Sequence, residues 1–153
     1  MKKIILNLVF SLFAFNSFAQ TNNAVIEEIQ QYIQSTSQNE WFDPVNKTGT
    51  LEDGSTYDLA YYILPDDEIF SIIYTLFDKN TLRKVFYYQN NELIASIIEE
   101  RDGNNANELL RYADYFYKNG VLINTNDEKK DFPSTESYTE GMEKLKEFNT
   151  TGD

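Results

Sequence analysis

The sequence predicts an α+β domain, with an N-terminal helix packed on an antiparallel β-meander of about six strands and a short C-terminal helix. Alternating apolar and polar residues recur between turn signals through the middle of the chain, a pattern typical of strands joined by tight turns. Helical spacing of apolar residues is confined to two segments that flank this region. Connections this short permit only antiparallel neighbours.

The first 19 residues have the layout of a secretory signal peptide. Two lysines precede an apolar run, and Ser17 and Ala19 place small side chains at the −3 and −1 positions of a signal peptidase site. We expect cleavage between Ala19 and Gln20, which makes the protein secreted or periplasmic and leaves a mature domain over 20–153. The apolar run is shorter than the roughly 20 residues of a spanning helix, so we expect no membrane association after cleavage.

Charge restricts the class of partner. The chain has 13 basic and 25 acidic residues, a net charge of −12, and loss of the signal leaves 11 basic residues and a charge of −14. This charge disfavours nucleic acid and favours a cationic protein among possible partners, although solubility outside the cell is the preferred explanation of the charge. The chain has no cysteine, so no disulfide supports the core.

Residues 23–38 form the predicted N-terminal helix. Asn22 or Asn23 can cap its first turn, and Pro44 ends the helical pattern because proline disfavours α geometry at the preceding residue. One side of the helix carries large apolar residues, namely Val25, Ile26, Ile29, Tyr32 and Ile33. A helix of this kind buries one face, and we expect it to pack on the sheet.

The meander is predicted over residues 56–125. Its strands alternate apolar and polar side chains and are separated by turns that contain Pro, Gly, Asp or Asn. The predicted strands are 56–64, 69–77, 82–88, 93–101, 109–117 and 121–125. Residues 45–51 are predicted as a loop or a weak edge strand.

One nine-residue pattern occurs twice in the meander, over Phe86 to Ile94 and Tyr115 to Ile123. Each copy reads aromatic strand, turn, aliphatic strand. Asn119-Gly120 suits the positive φ angles of a type I′ turn, and Asn90-Asn91 does so less well. The copies, Phe-Tyr-Tyr-x-Asn-Asn-x-Leu-Ile and Tyr-Phe-Tyr-x-Asn-Gly-x-Leu-Ile, resemble the MORN-repeat variants of secreted bacterial proteins, without that family's additional glycines. The resemblance implies an interaction module with no catalytic residues.

A two-residue turn at 90–91 also predicts the pairing of the first hairpin. The predicted pairs are Tyr88–Leu93, Phe86–Ala95 and Lys84–Ile97 on one face, and Tyr87–Ile94, Val85–Ser96 and Arg83–Ile98 on the other. Both faces are largely apolar, so each needs a cover. We expect the N-terminal helix on one face and the C-terminal segment, a second copy of the chain, a ligand or a partner on the other.

The C-terminal helix is predicted over 137–148. Ser137 and Glu140 match a capping box, and Glu140 and Lys144 form a favourable i, i+4 pair. Gly141 inside the helix costs roughly 1 kcal/mol against alanine, so we expect the helix to be docked rather than free. Its apolar stripe consists of Tyr138, Met142, Leu145 and Phe148.

Catalytic and metal chemistry is restricted because the chain has no His and no Cys, which excludes Ser-His-Asp, Cys-His and zinc sites. Glu99 and Glu100 are adjacent in a strand and point to opposite faces, so they cannot flank one glycosidic bond. We expect them to pair with Lys84 and Arg83 respectively. Two sets of acidic residues could each bind Ca²⁺ through their carboxylates or could lie in solvated turns. They are residues 66–68 and the set of Asp127, Glu128 and Asp131. No cofactor and no metal site is predicted.

Tyrosines are the one positive sign of a binding function. The candidate binding face consists of Tyr74, Tyr87, Tyr88, Tyr112, Tyr115 and Tyr117. Such rings can bind a glycan or anchor a protein, although strand propensity also explains them. We therefore expect a non-catalytic binding protein. The alternatives are an acidic inhibitor or immunity protein against a basic extracellular enzyme, a small carboxylate-dependent glycosidase, and a homo-oligomer that associates through an open sheet face.

Overall fold

The computed structural model describes residues 22–38, 44–127 and 132–151. The chain forms two compact units, Met1–Gln38 and Asn39–Asp153. The predicted cleavage site lies outside the described residues, and the predicted domain over 20–153 crosses the division between the units. No helix among the described residues is long and apolar enough to span a bilayer.

The first unit contains helix α1, which covers residues 22–37 of the described chain. The predicted helix over 23–38 is therefore confirmed. Its packing on the sheet stays a prediction.

The second unit contains a sheet in which seven antiparallel strands follow one another in chain order, from β1 to β7. The strands are β1 Val45–Thr50, β2 Thr56–Ile63, β3 Ile69–Phe77, β4 Asn80–Gln89, β5 Glu92–Asp102, β6 Leu109–Lys118 and β7 Val121–Asn126. The meander is confirmed, with one strand more than the six predicted, because residues 45–50 pair fully with β2. An edge strand buries little, so its sequence lacks the strong alternation of the central strands.

Helix α2 spans Ser134–Thr151 and closes one face of this sheet, which we call the helix face. The core of the unit lies between them, where buried side chains of β2 to β6 meet Leu145 of α2. The ring of Phe148 packs against Tyr61 at a centroid distance of 5.0 Å. α2 therefore supplies the cover that the sequence requires for this face.

The start of α2 corrects the predicted capping box. The helix begins three residues earlier than predicted, and the carbonyl of Pro133 accepts its first helical bond from the N–H of Ser137. Ser137 is therefore inside the helix, where its hydroxyl shares a hydrogen bond of 2.7 Å with Ser96 of β5. Ser137 and Gly141 lie on the side of α2 that touches the sheet. Small residues therefore occupy positions at this contact where large apolar residues would be expected.

The two repeated hairpins share their turn geometry. Asn90 and Asn91 have φ angles of 53° and 59°, and Asn119 and Gly120 have φ angles of 50° and 75°. Both pairs have the positive angles of a type I′ turn, as predicted. The repeat in the sequence therefore corresponds to a repeat in the backbone.

Each hairpin also contains a β-bulge one residue beyond its first two pairs. Tyr88 pairs with Leu93, but Tyr87 then pairs with Ala95, which leaves Ile94 as the extra residue. In the second hairpin the extra residue is Ile123. The bulge adds one residue to one strand, and the pairing beyond it moves by one position.

The bulge at Ile94 makes the predicted register wrong beyond the first pair. Phe86 pairs with Ser96, Val85 with Ile97, Lys84 with Ile98 and Arg83 with Glu99. The predicted pairing of Tyr88 with Leu93 is confirmed. A bulge has no strong signal in the sequence of one strand, because it depends on how the facing strands twist.

Candidate binding groove

The structure divides the six candidate tyrosines between the two sheet faces. Tyr74, Tyr88, Tyr115 and Tyr117 lie on the helix face, and Tyr87 and Tyr112 lie on the opposite face. Tyr88, Tyr115 and Tyr117 are at most 2% exposed. The six residues therefore do not form one open surface.

The hydroxyl groups of the buried tyrosines form hydrogen bonds that link the C-terminal segment to the sheet. Tyr88 donates to the carbonyl of Gly141 at 2.7 Å, and Tyr117 donates to the carbonyl of Ser134 at 2.9 Å. The hydroxyl of Tyr115 contacts the carbonyl of Phe132 and also lies 2.9 Å from Asp127 Oδ2. Each ring fills the core while its polar tip finds an acceptor, so these tyrosines serve mainly to position α2.

Burial also raises the pKa of each of these phenols. Loss of solvent raises the pKa of Tyr88, and the carboxylate of Glu140 raises it further. Burial likewise raises the pKa of Tyr115, and its contact with Asp127 adds to the rise. Both groups therefore remain protonated donors at neutral pH.

A groove runs between β7 and the start of α2, and it is the candidate binding site. A cavity of about 230 Å³ lies at the end of β7, lined by Tyr115, Leu122, Thr125, Asp127, Phe132, Pro133 and Ser134. A second cavity of about 160 Å³ lies beside the hairpin turn, lined by Tyr117, Gly120, Leu122, Ser134, Thr135, Tyr138 and Thr139. The two cavities share Leu122 and Ser134 in their linings and are therefore neighbours, and we call them together the groove.

The groove places apolar walls beside hydroxyl groups. The rings of Tyr117 and Tyr138 pack in a tilted arrangement at a centroid distance of 5.1 Å, and Leu122 remains 37% exposed. Thr125, Thr135 and Thr139 lie along the same walls. Apolar walls with a few polar groups are typical of sites that bind peptides or small ligands.

Asp127 is the one charged residue among the described residues that line the groove. Glu136 follows the lining residues Ser134 and Thr135 in the chain but lines neither cavity. Asp114 lies beside the end of β7, where its Oδ1 accepts a hydrogen bond of 3.0 Å from the N–H of Asn126. Lys118, before the hairpin turn, is the one basic residue between 115 and 127. The groove is therefore suited to a cationic rather than an anionic ligand.

The carboxylates singled out by the sequence are engaged in ion pairs on opposite faces of the sheet. Glu99 lies 3.6 Å from Arg83 and 3.9 Å from Arg101. Glu100 accepts a 2.6 Å hydrogen bond from Arg111 Nε and a 2.7 Å bond from Asn80. Pairing on opposite faces is confirmed, but the predicted partners are wrong because the bulge at Ile94 shifts the register.

The charged residues of α2 also pair differently from the prediction. Glu140 binds Lys84 of β4 at 2.5 Å, and Lys144 binds Glu147 at 3.1 Å. No three carboxylates in the described ranges are close enough together to hold a metal ion. Two of the acidic residues considered for Ca²⁺, Glu128 and Asp131, lie outside those ranges.

Sequence reasoning missed the groove because its two walls belong to different elements, β7 and the start of α2, and local preferences do not predict how a strand and a helix pack together. β7 was predicted as a strand, but the start of α2 was placed at 137, which left Ser134 and Thr135 outside the helix. One available signal was the composition of β7, which has no charge, no proline and no glycine. Such a strand at the edge of a sheet is open to a partner.

Comparison with known proteins identifies no relative. No family model, no curated protein and no solved structure matches this chain. The resemblance of the two hairpins to MORN-repeat variants stays a prediction. The groove is therefore interpreted from its own residues.

Proposed function

We propose that this chain is a secreted or periplasmic, non-catalytic binding protein whose partner is a cationic protein. One observation carries the proposal, the groove between β7 and α2, in which apolar walls lie beside Asp127. The net charge of −12 supports it, because a field of this sign steers cationic partners toward the protein. The predicted signal peptide supports the location.

A site-specific photocrosslinking experiment tests this function. A benzoylphenylalanine is placed at Val121, which is 63% exposed at the start of the strand that forms one wall of the groove, and in a control variant at Val45, which is 45% exposed on the other edge strand. We expect the Val121 variant, incubated with the extracytoplasmic fraction of the host, to capture a basic protein that the Val45 variant does not capture. Capture of the same proteins by both variants, or of none by either, would contradict the proposal.

Charge favours a second candidate within the same class, an acidic inhibitor or immunity protein directed at a basic extracellular enzyme. Association steered by charge weakens steeply with salt, because the Debye length falls from about 10 Å at 0.1 M to about 3 Å at 1 M. The candidate predicts that the captured partner is an enzyme and that this chain inhibits it at low salt. Unchanged activity of the captured enzyme in a saturated complex would reject it.

Catalysis is not part of the proposal. A glycosidase needs two carboxyl groups that flank one bond, about 5 to 9.5 Å apart. Glu99 and Glu100 cannot do this, since their ion pairs lie on opposite faces of the sheet.

A further inference from the structure

Strand β7 is an edge strand that has a bulge but no charged residue and no proline to protect it against strand pairing. It is the last strand in the order of the sheet and reads Val-Leu-Ile-Asn-Thr-Asn. Natural edge strands are commonly protected by lysine, proline or bulges that turn the edge away. The other edge strand, β1, carries Lys47 and Gly49 within its six residues. β7 has a bulge at Ile123 but no charged residue, and its Val121 is 63% exposed.

The groove lies where the side chains of an added strand would lie. Leu122 and Thr125 are on the helix face, because they pair with Tyr117 and Tyr115. They are consecutive on that face although they are three residues apart, since the bulge at Ile123 takes up one residue. Leu122 lines the smaller cavity and Thr125 the larger one. A strand beside β7 would project alternate side chains about 7 Å apart, a spacing that offers one side chain to each cavity.

The two cavities differ in chemistry. The larger one has Asp127 and Phe132 in its lining, and the guanidinium of Arg111 already lies over the Phe132 ring at 4.5 Å. Asp127 is therefore the group that can bind the charged head of Lys or Arg. The smaller one has the tilted rings of Tyr117 and Tyr138 in its lining, which suit an aliphatic side chain. A second copy of this chain is disfavoured as the occupant, because both copies carry the same strong negative charge.

We propose that β7 binds an extended segment of the partner as an eighth strand, with an aliphatic and a basic side chain, two residues apart, seated in the two cavities. The inference rests on the proposed function, because it assigns the mode of binding to the same groove. In strand addition, main-chain hydrogen bonds supply affinity and the pockets for alternate side chains supply specificity.

Binding of short synthetic peptides to the full chain tests the mode. The probe is a seven-residue, end-capped peptide in which Thr alternates with Leu and Lys, labelled for fluorescence anisotropy. The control peptide has the same sequence with N-methyl groups on alternate amides, all on one edge, and a second control has them on the other edge. We expect one N-methylated peptide to bind about tenfold or more weakly, because it loses main-chain hydrogen bonds, and the other to bind normally. We also expect Asp127→Asn to weaken binding of the Lys peptide more than of a peptide with norleucine in place of Lys.

Hydrogen exchange locates the paired edge. We expect the peptide to slow exchange of backbone amides in Val121–Asn126 and to leave the amides of Val45–Thr50, the other edge strand, unchanged. Equal binding of all three peptides, or protection at β1 instead of β7, would overturn strand addition and leave the proposed function intact. If the purified chain dimerises and the amides of β7 are protected in the dimer, the proposal of a basic partner segment is wrong. The strand that pairs with β7 is then supplied by a second copy of this chain. Failure of the crosslinking experiment would reject the proposed function itself.

Discussion

The hydroxyl of Tyr88 donates a 2.7 Å hydrogen bond to the carbonyl oxygen of Gly141 in the middle of α2. The bond is possible because the helix comes very close to the sheet at this point. A Cβ atom on Gly141 would lie 2.9 Å from Leu93 Cδ2 and 2.9 Å from Phe86 Cδ1. The glycine that weakens the isolated helix is therefore the residue that lets it dock.

Substitution Gly141→Ala should destabilise the protein although alanine is the better helix former. Helix propensity favours alanine by about 1 kcal/mol, whereas overpacking a filled core costs about 1 to 3 kcal/mol. Because Leu93 and Phe86 are almost completely buried, they have little room to move. We expect a net loss of about 1 kcal/mol in the free energy of unfolding, measured by urea denaturation. The exposed control Lys146→Ala should change stability by less than about 0.5 kcal/mol. A more stable Gly141→Ala protein would contradict the close packing.

The buried hydroxyls of Ser96 and Ser137 should be energetically coupled. They share a hydrogen bond of 2.7 Å, and both are at most 3% exposed. Either single change to alanine removes one partner and leaves the other hydroxyl poorly satisfied, at a cost of about 1 to 3 kcal/mol. The double variant should cost less than the two single variants together, by about 1 kcal/mol, in a double-mutant cycle of unfolding free energies.

The exposed Thr139→Ala variant on the same helix provides the control for this cycle, and it should combine additively with Ser96→Ala. A strictly additive Ser96 and Ser137 pair would show that the two hydroxyls do not hold the helix together with the sheet.

The two hairpin turns should respond in opposite directions to an exchange of their central residues. Asn91 has a φ of 59°, which asparagine tolerates and glycine adopts without steric cost. We expect Asn91→Gly to stabilise the protein by about 0.5 kcal/mol and Gly120→Asn to destabilise it by a similar amount. Chemical denaturation measures both, and Gly120→Val should be clearly worse than Gly120→Asn. Loss of stability on Asn91→Gly would argue against a type I′ turn in the first hairpin.

Stability should fall at alkaline pH because burial raises the pKa of Tyr88. In the unfolded chain tyrosine ionises with a pKa of about 10. Above that pH the unfolded state loses a proton that the folded state keeps, so stability is unaffected at pH 8 and decreases as the pH rises beyond 10. The slope is about 1.4 kcal/mol per pH unit for each such group.

Urea denaturation between pH 8 and pH 11.5 measures this effect. Tyr88→Phe should lower stability at pH 8 by about 1 kcal/mol, through loss of the bond to Gly141, and should make the alkaline slope shallower. Tyr112→Phe is the comparison variant, since Tyr112 is 39% exposed and its hydroxyl lies 3.3 Å from Asp114. Partial burial raises the pKa of Tyr112 as well, and we expect its removal to change the alkaline slope less than removal of Tyr88 does. An alkaline slope that is the same in both variants would contradict a buried, protonated Tyr88.

Local features of the fold could be predicted from the sequence. The strand at 69–77 was predicted with the bounds it has in the structure, and the other five predicted strands differ by at most two residues at either end. Asn119-Gly120 predicted a turn because few residues tolerate positive φ. Glu99 and Glu100 were predicted on opposite faces because they are adjacent in a strand. Each of these depends on the backbone preferences of a few neighbouring residues.

The tertiary structure decided the remainder. The bulges at Ile94 and Ile123 depend on the twist of paired strands, and the bulge at Ile94 changed the partners of Glu99 and Glu100 from those predicted. Small residues are required on the side of α2 that packs closely on the sheet. Ser137 lies on this side and is therefore a buried contact instead of a helix cap. The sequence by itself determined strands, turns and the need for a cover on the sheet. Only the tertiary structure joined β7 to the start of α2 in one groove, because the packing of a strand against a helix is not encoded in the local preferences of either segment.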